Sequence, residues 1–228
     1  MSVSAVTWQP PMLPTSDGRV FPVRHAWCVG RNYAEHAREM GVDPERSAPV
    51  FFSKPAQAVI HVQSIAWPPD TAELHHEVEL VVFLASGGCN LSPAQAKSSI
   101  FGYAVGVDLT RRDVQNRAKQ AGQPWEMSKG FDQSGPVGLI VPARDWRPEP
   151  ETTINLSVDG QMRQSADLAA MICSVPELLA TLSQTVTLGA GDVVFTGTPA
   201  GVSALAPRQR IRARIEGLPE LDFMIDEP

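Results

Sequence analysis

The segment HHEVELVV, residues 75–82, places two acidic residues in a run that otherwise has the pattern of a buried strand. Residues two apart on a strand share a face and lie ~6.5 Å apart, so Glu77 and Glu79 point the same way. The alternate positions form a continuous apolar face, made of Val78, Leu80, Val82 and Leu84. Neighbouring carboxylates repel each other unless water or a cation neutralises them. The pattern therefore predicts either an exposed polar face on an edge strand or a site for a hard cation with oxygen ligands.

A third carboxylate lies at the end of another strand. Asp108 ends the sequence YAVGVD, just before Thr110, which with Asp113 has the pattern of a helix N-terminus. Asp108 could simply help to cap that helix. With the two glutamates it could instead hold Mg²⁺ and leave octahedral positions for water and substrate. The three acidic side chains would then keep a net negative charge with the metal bound, so an anionic substrate needs additional cations nearby.

The segment GRNYAEHAREMG, residues 30–41, contains a second group with catalytic potential. His36 and Glu39 are three residues apart on a short predicted helix and share a face. A carboxylate that orients an imidazole and raises its basicity makes a general base near neutral pH. The alternative is an ordinary solvated pair on the helix surface.

Two lysines and a glycine-rich turn complete the candidate groups. Lys129 lies in the apolar and aromatic segment WEMSKGFD, where it either polarises a substrate oxygen or extends its ammonium to solvent. Lys54 ends the strand VFFSK and has the same two interpretations. In TGTPAGV, Gly197 and Gly201 would let backbone N–H groups approach a carboxylate closely, although the motif alone is only a turn.

Many strands and few helices must position these groups. Helices are predicted near 33–40, after Asn32; from Ser92–Pro93; near 111–121; and from the SVPE sequence at Ser174. Strands are predicted at 25–30, 50–54, 76–84, 100–109, 135–141, 153–160, 192–197 and 210–217. Because strands and helices do not alternate regularly, the pattern predicts a β-rich α+β domain with a closed or rolled sheet rather than a Rossmann layout.

Composition excludes several classes of protein. The chain has 228 residues, a formal charge of −6 and 43% hydrophobic residues, so a disordered chain or a nucleic-acid-binding protein is not expected. No apolar run approaches the ~20 residues that cross a bilayer. No secretory signal is visible, and three scattered cysteines fit a reducing cytoplasm. We expect residues 1–19 to form an irregular lead-in and residues 20–228 a single catalytic domain.

The segments in this order resemble the fumarylacetoacetate hydrolase family. The resemblance rests on CVGRNYAEHAREMG, FFSKPAQAV, HHEVELVV, GYAVGVDLTRRDVQ, GQPWEMSKGFD, VDGQMRQ, SVPELL and GDVVFTGTPAGV, which span residues ~20 to ~205. Within the family, FPVR and GQPWEMSKGFDQSGPVG are most similar to the bacterial enzymes that split fumarylpyruvate in gentisate breakdown.

The resemblance implies a mixed β-sandwich roll or β-barrel and a homodimer. It implies Mg²⁺ or Mn²⁺, with Ca²⁺ as a substitute, on Glu77, Glu79 and Asp108. It also assigns roles to eight further residues: a His36–Glu39 base, an oxyanion-stabilising Lys129, and substrate contacts from Arg31, Lys54, Arg112, Gln115 and Thr198.

The activity that the resemblance implies is metal-dependent hydrolysis of a C–C bond in an acylpyruvate, a small 2,4-diketo acid. The same metal site could serve a decarboxylase or tautomerase acting on oxaloacetate, and only the His36–Glu39 base favours hydrolysis. A non-catalytic ligand sensor is a third interpretation. A fumaryl tail needs a cation at the far end of the pocket, for which the candidates are Arg38, Arg46 and Arg111.

Overall fold

The structure, a computed structural model, describes residues 8–39 and 49–227. In chain order the strands are β1 (Met12–Pro14), β2 (Val20–Pro22), β3 (His25–Gly30), β4 (Val50–Lys54), β5 (Val59–Ile60), β6 (Ser64–Ile65), β7 (Leu74–His76), β8 (Val78–Leu84), β9 (Ile100–Val107), β10 (Thr110–Arg111), β11 (Gly135–Pro136), β12 (Val141–Pro142), β13 (Thr153–Val158), β14 (Gln161–Asp167), β15 (Asp192–Phe195), β16 (Ser203–Ala204), β17 (Arg210–Ile215) and β18 (Leu221–Ile225). The helices are α1 (Ala34–Glu39), α2 (Pro93–Ser98), α3 (Arg112–Gln120), α4 (Glu126–Lys129) and α5 (Val175–Leu182). No helix in the described part of the chain is long and apolar enough to cross a membrane.

Two large sheets form the body of the protein. The six-stranded sheet has the order β12-β9-β8-β15-β3-β4, and the five-stranded sheet has the order β14-β13-β17-β18-β6. The prediction of a β-rich α+β fold with few short helices is confirmed. The described strands do not close into a barrel.

Strand β8 is central in its sheet and buried on both faces. Leu80 and its apolar alternates pack in one core cluster with residues of the five-stranded sheet such as Leu156 and Ala213. On the other face, Val81 and Phe83 belong to a second cluster. The alternation predicted for this strand is therefore correct, but the edge-strand interpretation is wrong. Glu79 lies in the interior of the protein, where a carboxylate requires partners.

Most strands begin where the sequence predicts, and the differences have local causes. Residues 135–141 do not form one strand, because β11 pairs with β5 and β12 pairs with β9. The missed strand β14 has the mostly exposed sequence QMRQSAD, which lacks the apolar alternation of a half-buried strand. An Asp159–Gly160 turn with positive φ at both residues joins it to β13, and this is a hairpin signal that the sequence does carry. Residues 12–14, expected to be irregular, pair with β2.

The helix caps follow the sequence at two of four sites. Ser92 and Ser174 each form the expected capping box. Asn32 instead uses its amide to donate to the Thr196 carbonyl at 2.9 Å, and it also accepts from the Cys173 N–H at 2.8 Å. This side chain therefore ties the start of α1 to the end of β15. The Thr110 hydroxyl does not cap α3, which has no side-chain cap. Gly41, the predicted helix stop, lies outside the described residues.

Candidate active site

Three buried carboxylates meet at one end of the paired strands β8 and β9. Glu77 lies between β7 and β8, Glu79 is on β8, and Asp108 directly follows β9. The strands run antiparallel with Val78 opposite Val107, and the Asp108 N–H donates to the Glu77 carbonyl at 2.8 Å. This register brings one oxygen from each carboxylate within 4.8 Å of the others. The three residues therefore form a site that suits a divalent metal ion.

Lys129 binds two of these carboxylates directly. Its Nζ donates to Glu77 Oε2 at 2.8 Å, to Asp108 Oδ2 at 2.7 Å and to Thr110 Oγ1 at 2.7 Å. An ammonium has only three N–H donors, so all are occupied. The segment expected to be a loop is the short helix α4, which delivers this lysine from the opposite wall. In this arrangement Lys129 neutralises the carboxylates, and it reaches a substrate oxygen only by releasing one of its three partners.

Lys54 lies behind Asp108 and does not contact the cavity. Its side chain is fully buried, and Nζ is 2.8 Å from Asp108 Oδ1. It also donates to Ser134 Oγ at 3.1 Å and to the Lys129 carbonyl. Lys54 is not among the residues that line the cavity, so the substrate contact expected from it stays a prediction. Lys54 instead fixes the orientation of Asp108 and links it to the end of α4.

The two glutamates of the site have pKa values that are shifted in opposite directions. Burial raises the pKa of Glu77, but the Lys129 ammonium and the Arg112 guanidinium outweigh burial, and the net pKa is lowered. Burial raises the pKa of Glu79 well above its usual value, and the two neighbouring carboxylates raise it further. Glu79 has no ion pair among the described residues and accepts from the Gly197 N–H at 2.6 Å. The oxygen ligands and this uncompensated carboxyl group fit a divalent cation such as Mg²⁺ or Mn²⁺.

The predicted His36–Glu39 pair forms on helix α1. His36 Nδ1 lies 3.5 Å from Glu39 Oε2. Glu39 Oε1 accepts from the Gly201 N–H at 3.3 Å, which connects α1 to the glycine-rich turn. His36 is buried and faces the same cavity as the carboxylates, whereas Glu39 is exposed. The structure thus brings the candidate base to the wall of the cavity that holds the metal site.

A cavity of about 200 Å³ joins these groups. Four residues expected to contact substrate line it, namely Arg31, Arg112, Gln115 and Thr198. Five further lining residues were not singled out from the sequence, namely Val29, Gly30, Phe52, Lys119 and Trp125. Lys119 carried a detectable signal, because it lies four residues after Gln115 and seven after Arg112 on one helix face.

Two of the arginines considered for a distal carboxylate, Arg38 and Arg111, do not line this cavity. Arg38 is exposed and Arg46 lies outside the described residues. Arg111 packs its guanidinium 4.5 Å from the centre of the Phe131 ring. A contact of these arginines with a distal carboxylate stays a prediction. In the described part of the chain, two cations on the cavity wall are not bound to the metal-site carboxylates, Arg31 and Lys119.

Gln164, from the strand missed in the sequence, positions Thr198. Its Nε2 donates to Thr198 Oγ1 at 2.8 Å and to the Pro199 carbonyl at 2.8 Å. Its Oε1 accepts from the Val78 N–H at 3.1 Å and lies 2.9 Å from His76 Nδ1. Because the Thr198 oxygen accepts from Gln164, its own O–H stays free to donate into the cavity. The amide therefore connects the metal-ligand strand with the glycine-rich turn.

The Gln164 network also fixes the tautomer of His76. Burial lowers the pKa of His76 to about 4, so the ring is neutral near neutral pH. The Gln164 oxygen can only accept, so His76 Nδ1 carries the proton. Nε2 then accepts from Ser203 Oγ, which is 2.9 Å away. Every polar atom of the buried ring is thus satisfied.

Replacing this amide should cost stability. In Gln164→Leu the buried Val78 N–H, the His76 Nδ1–H and the Pro199 carbonyl all lose a partner. We expect the free energy of unfolding to fall by about 2–4 kcal/mol, as for other buried groups left unpaired. Urea denaturation monitored by fluorescence measures the change. A loss below about 1 kcal/mol would show that the network does not hold the turn.

Comparison with known proteins gives consistent matches along the chain. Residues 25–225 match the family model for the fumarylacetoacetate (FAA) hydrolase C-terminal domain. The chain is 43% identical over 200 residues to the oxaloacetate tautomerase YcgM of Escherichia coli K12, which covers 86% of this chain and 90% of that protein. It is 39% identical over 203 residues to the human mitochondrial oxaloacetate tautomerase FAHD1, covering 88% of this chain and 91% of that protein.

A solved structure matches the whole chain. The crystal structure of fumarylpyruvate hydrolase from Pseudomonas aeruginosa in complex with Mn²⁺ and pyruvate has a TM-score of 0.96, a sequence identity of 43% and coverage of 100% of both chains. The similar proteins thus include a hydrolase and tautomerases at comparable identity.

Proposed function

The chain belongs to the fumarylacetoacetate hydrolase family, and from this premise we propose that it hydrolyses a C–C bond of an acylpyruvate. The substrate we favour is fumarylpyruvate, which gives fumarate and pyruvate. The observation that carries the proposal is that His36, paired with Glu39, lines the same cavity as Glu77 and Glu79 of the metal site. Hydrolysis needs a water base at that position, and the similar crystal structure with pyruvate is a hydrolase. The homodimer implied by the family resemblance stays a prediction.

Glu77, Glu79 and Asp108 would hold Mg²⁺ or Mn²⁺. When bound, the ion supplies a Lewis acid that polarises the oxygens of an α-keto acid and stabilises negative charge on the pyruvyl half. Lys54 and Lys129 each pair with the Asp108 carboxylate and hold its orientation. The Thr198 hydroxyl, held by Gln164, is placed to donate to the substrate carboxylate.

The chain's own residues account for the proton and the oxyanion. His36, oriented by Glu39, takes a proton from water as the water oxygen forms a bond to the acyl carbonyl carbon. The C–C bond then breaks, its electron pair passes to the pyruvyl half, and that half takes a proton. Gln115 lines the cavity and its Nε2 has no hydrogen-bond partner among the described residues, so it is available to donate to the oxyanion. All three N–H groups of Lys129 are already bound to Glu77, Asp108 and Thr110, so Lys129 would stabilise the oxyanion through its positive charge.

A second candidate function is oxaloacetate tautomerisation. It is favoured by the relatives of that name at 43% and 39% identity. Keto–enol exchange removes a proton from carbon and adds one to the keto oxygen, without attack by water, so a base at His36 serves both reactions.

A substrate panel separates the two candidates. With Mn²⁺ present we expect fumarylpyruvate to lose its ultraviolet absorbance and to release pyruvate and acid in equal amounts. EDTA should abolish the reaction, and Mn²⁺ should restore it. The control is oxaloacetate, whose enol and keto forms are followed separately. Enol–keto exchange of oxaloacetate without pyruvate release from any acylpyruvate would replace hydrolysis by tautomerisation.

A further inference from the structure

Helix α3 lines one wall of the cavity with three polar side chains. Arg112, Gln115 and Lys119 are spaced three and four residues apart, so they lie on one helix face, and all three line the cavity. Arg112 and Gln115 are buried, whereas Lys119 is exposed. With a rise of ~1.5 Å per residue, Lys119 lies ~10 Å along the axis from Arg112. Because Arg112 pairs with Glu77, the wall runs from the metal site to Lys119 at the mouth.

The ammonium of Lys119 is held in place but has no anionic partner. Its Nζ lies 5.1 Å from the centre of the Trp125 ring, which also lines the cavity. A cation over an aromatic face is partly ordered before any ligand binds. Within residues 8–39 and 49–227, neither Lys119 nor Arg31 forms an ion pair. Partial desolvation lowers the pKa of Lys119, and the positive charge of Arg112 lowers it further. A negative charge bound beside Lys119 would offset both effects on its pKa.

The charges around the cavity are also unbalanced. Among the residues that the structure describes, the three carboxylates of the metal site are accompanied by five cations on or directly behind the cavity wall: Arg31, Lys54, Arg112, Lys119 and Lys129. The formal surplus is two positive charges, and a divalent ion increases it. A substrate with a single carboxylate leaves the mouth of the cavity positive, whereas a dicarboxylate neutralises both ends.

We propose that Lys119, together with Arg31, binds a second carboxylate at the end of the acyl chain and so selects dicarboxylic acylpyruvates over neutral ones. The inference rests on the proposed hydrolysis and names the residues that would recognise the far carboxylate of the acyl group. In an extended seven-carbon diketo acid the two carboxyl carbons lie about 7–8 Å apart, at ~1.25 Å of advance per C–C bond of ~1.5 Å. That span fits between the metal end of the α3 wall and Lys119.

The test compares two substrates in wild type and Lys119→Met. Methionine keeps an unbranched side chain over Trp125 and removes the charge. For fumarylpyruvate we expect kcat/KM to fall about tenfold, mainly through KM, as for a charge-assisted hydrogen bond at a partly exposed site. For acetylpyruvate, which lacks the second carboxylate, we expect a change of less than about twofold. Equal losses on both substrates, or none on fumarylpyruvate, would overturn the inference.

Arg117→Met is the matched control. Arg117 is on the same helix, pairs with Asp113 and does not line the cavity, so this variant removes one positive charge without touching the substrate. It should keep the wild-type ratio between the two substrates. A loss of selectivity equal to that of Lys119→Met would mean that only the general field of the protein matters.

The design separates this inference from the proposed function. If wild type releases pyruvate from neither substrate, hydrolysis is wrong, and calorimetric titration of intact fumarylpyruvate and acetylpyruvate decides the role of Lys119. A tenfold weaker affinity of Lys119→Met for fumarylpyruvate alone supports the inference. Equal affinity of the two proteins for fumarylpyruvate contradicts it.

Discussion

In Glu77→Gln we expect Mn²⁺ affinity to fall by more than about 100-fold and turnover to be lost. Removal of a group that only orients a ligand already costs about 10–100-fold in affinity, and Glu77 supplies a ligand oxygen itself. The amide keeps the size of the side chain but removes one of three negative charges. Lys129 retains Asp108 and Thr110, so we expect the variant to fold. Calorimetric titration with Mn²⁺ measures the affinity, and circular dichroism checks the fold.

Glu73→Gln is the matched control for this variant. Glu73 is four residues away, and its exposed carboxylate is 2.9 Å from His75 Nε2, outside the cavity. The same substitution there should leave Mn²⁺ affinity and turnover unchanged. Unchanged Mn²⁺ affinity in a folded Glu77→Gln protein would show that the three carboxylates are not the metal site, and the proposed reaction would lose its Lewis acid.

The metal site could be predicted because its signal is local. The apolar neighbours of Glu77 and Glu79 indicate a buried strand, and burial of two carboxylates is unfavourable. Such a conflict between a residue and its surroundings is typical of a functional site. Asp108 could be added because it ends an adjacent predicted strand. The pairing of β8 with β9, which places Asp108 beside Glu77, is part of the tertiary structure and cannot be read from either segment alone. The sequence identifies only the carboxylates that could take part. The His36–Glu39 pair is predictable for the same reason, since three-residue spacing on a helix fixes proximity.

The remaining site residues depend on contacts between distant segments. Lys54 has the sequence pattern of a surface lysine at the end of a strand, and its burial follows only from α4 and Asp108 packing over it. Gln164 lies on a strand with an exposed sequence, yet its amide holds the Thr198 turn. The apolar and aromatic segment around Lys129 makes it a candidate, but its hydrogen bonds to both carboxylates follow only from the fold. The local sequence pattern thus identifies polar groups that lie in apolar segments. The hydrogen-bond partners of buried polar atoms can be identified only once the fold is known.

His36→Ala should separate proton transfer from metal binding. We expect kcat to fall by about 10²–10⁴, the usual contribution of a general base. Mn²⁺ affinity should stay at the wild-type value, because His36 is not among the three carboxylates of the metal site. Stopped-flow measurement of pyruvate release gives kcat, and calorimetry gives the affinities for Mn²⁺ and for pyruvate.

The comparison with His61→Ala makes the result specific. The imidazole of His61 is exposed, lies 2.9 Å from the Val137 carbonyl and does not line the cavity, so its removal should leave kcat unchanged. If pyruvate affinity in His36→Ala dropped as far as kcat, His36 would be a binding residue and the base would have to be another group. If kcat of His36→Ala stayed within about threefold of wild type, His36 would not be the base that activates water, since a general base contributes far more than that. Because tautomerisation also needs a proton acceptor, that outcome would count against both candidate reactions at this position.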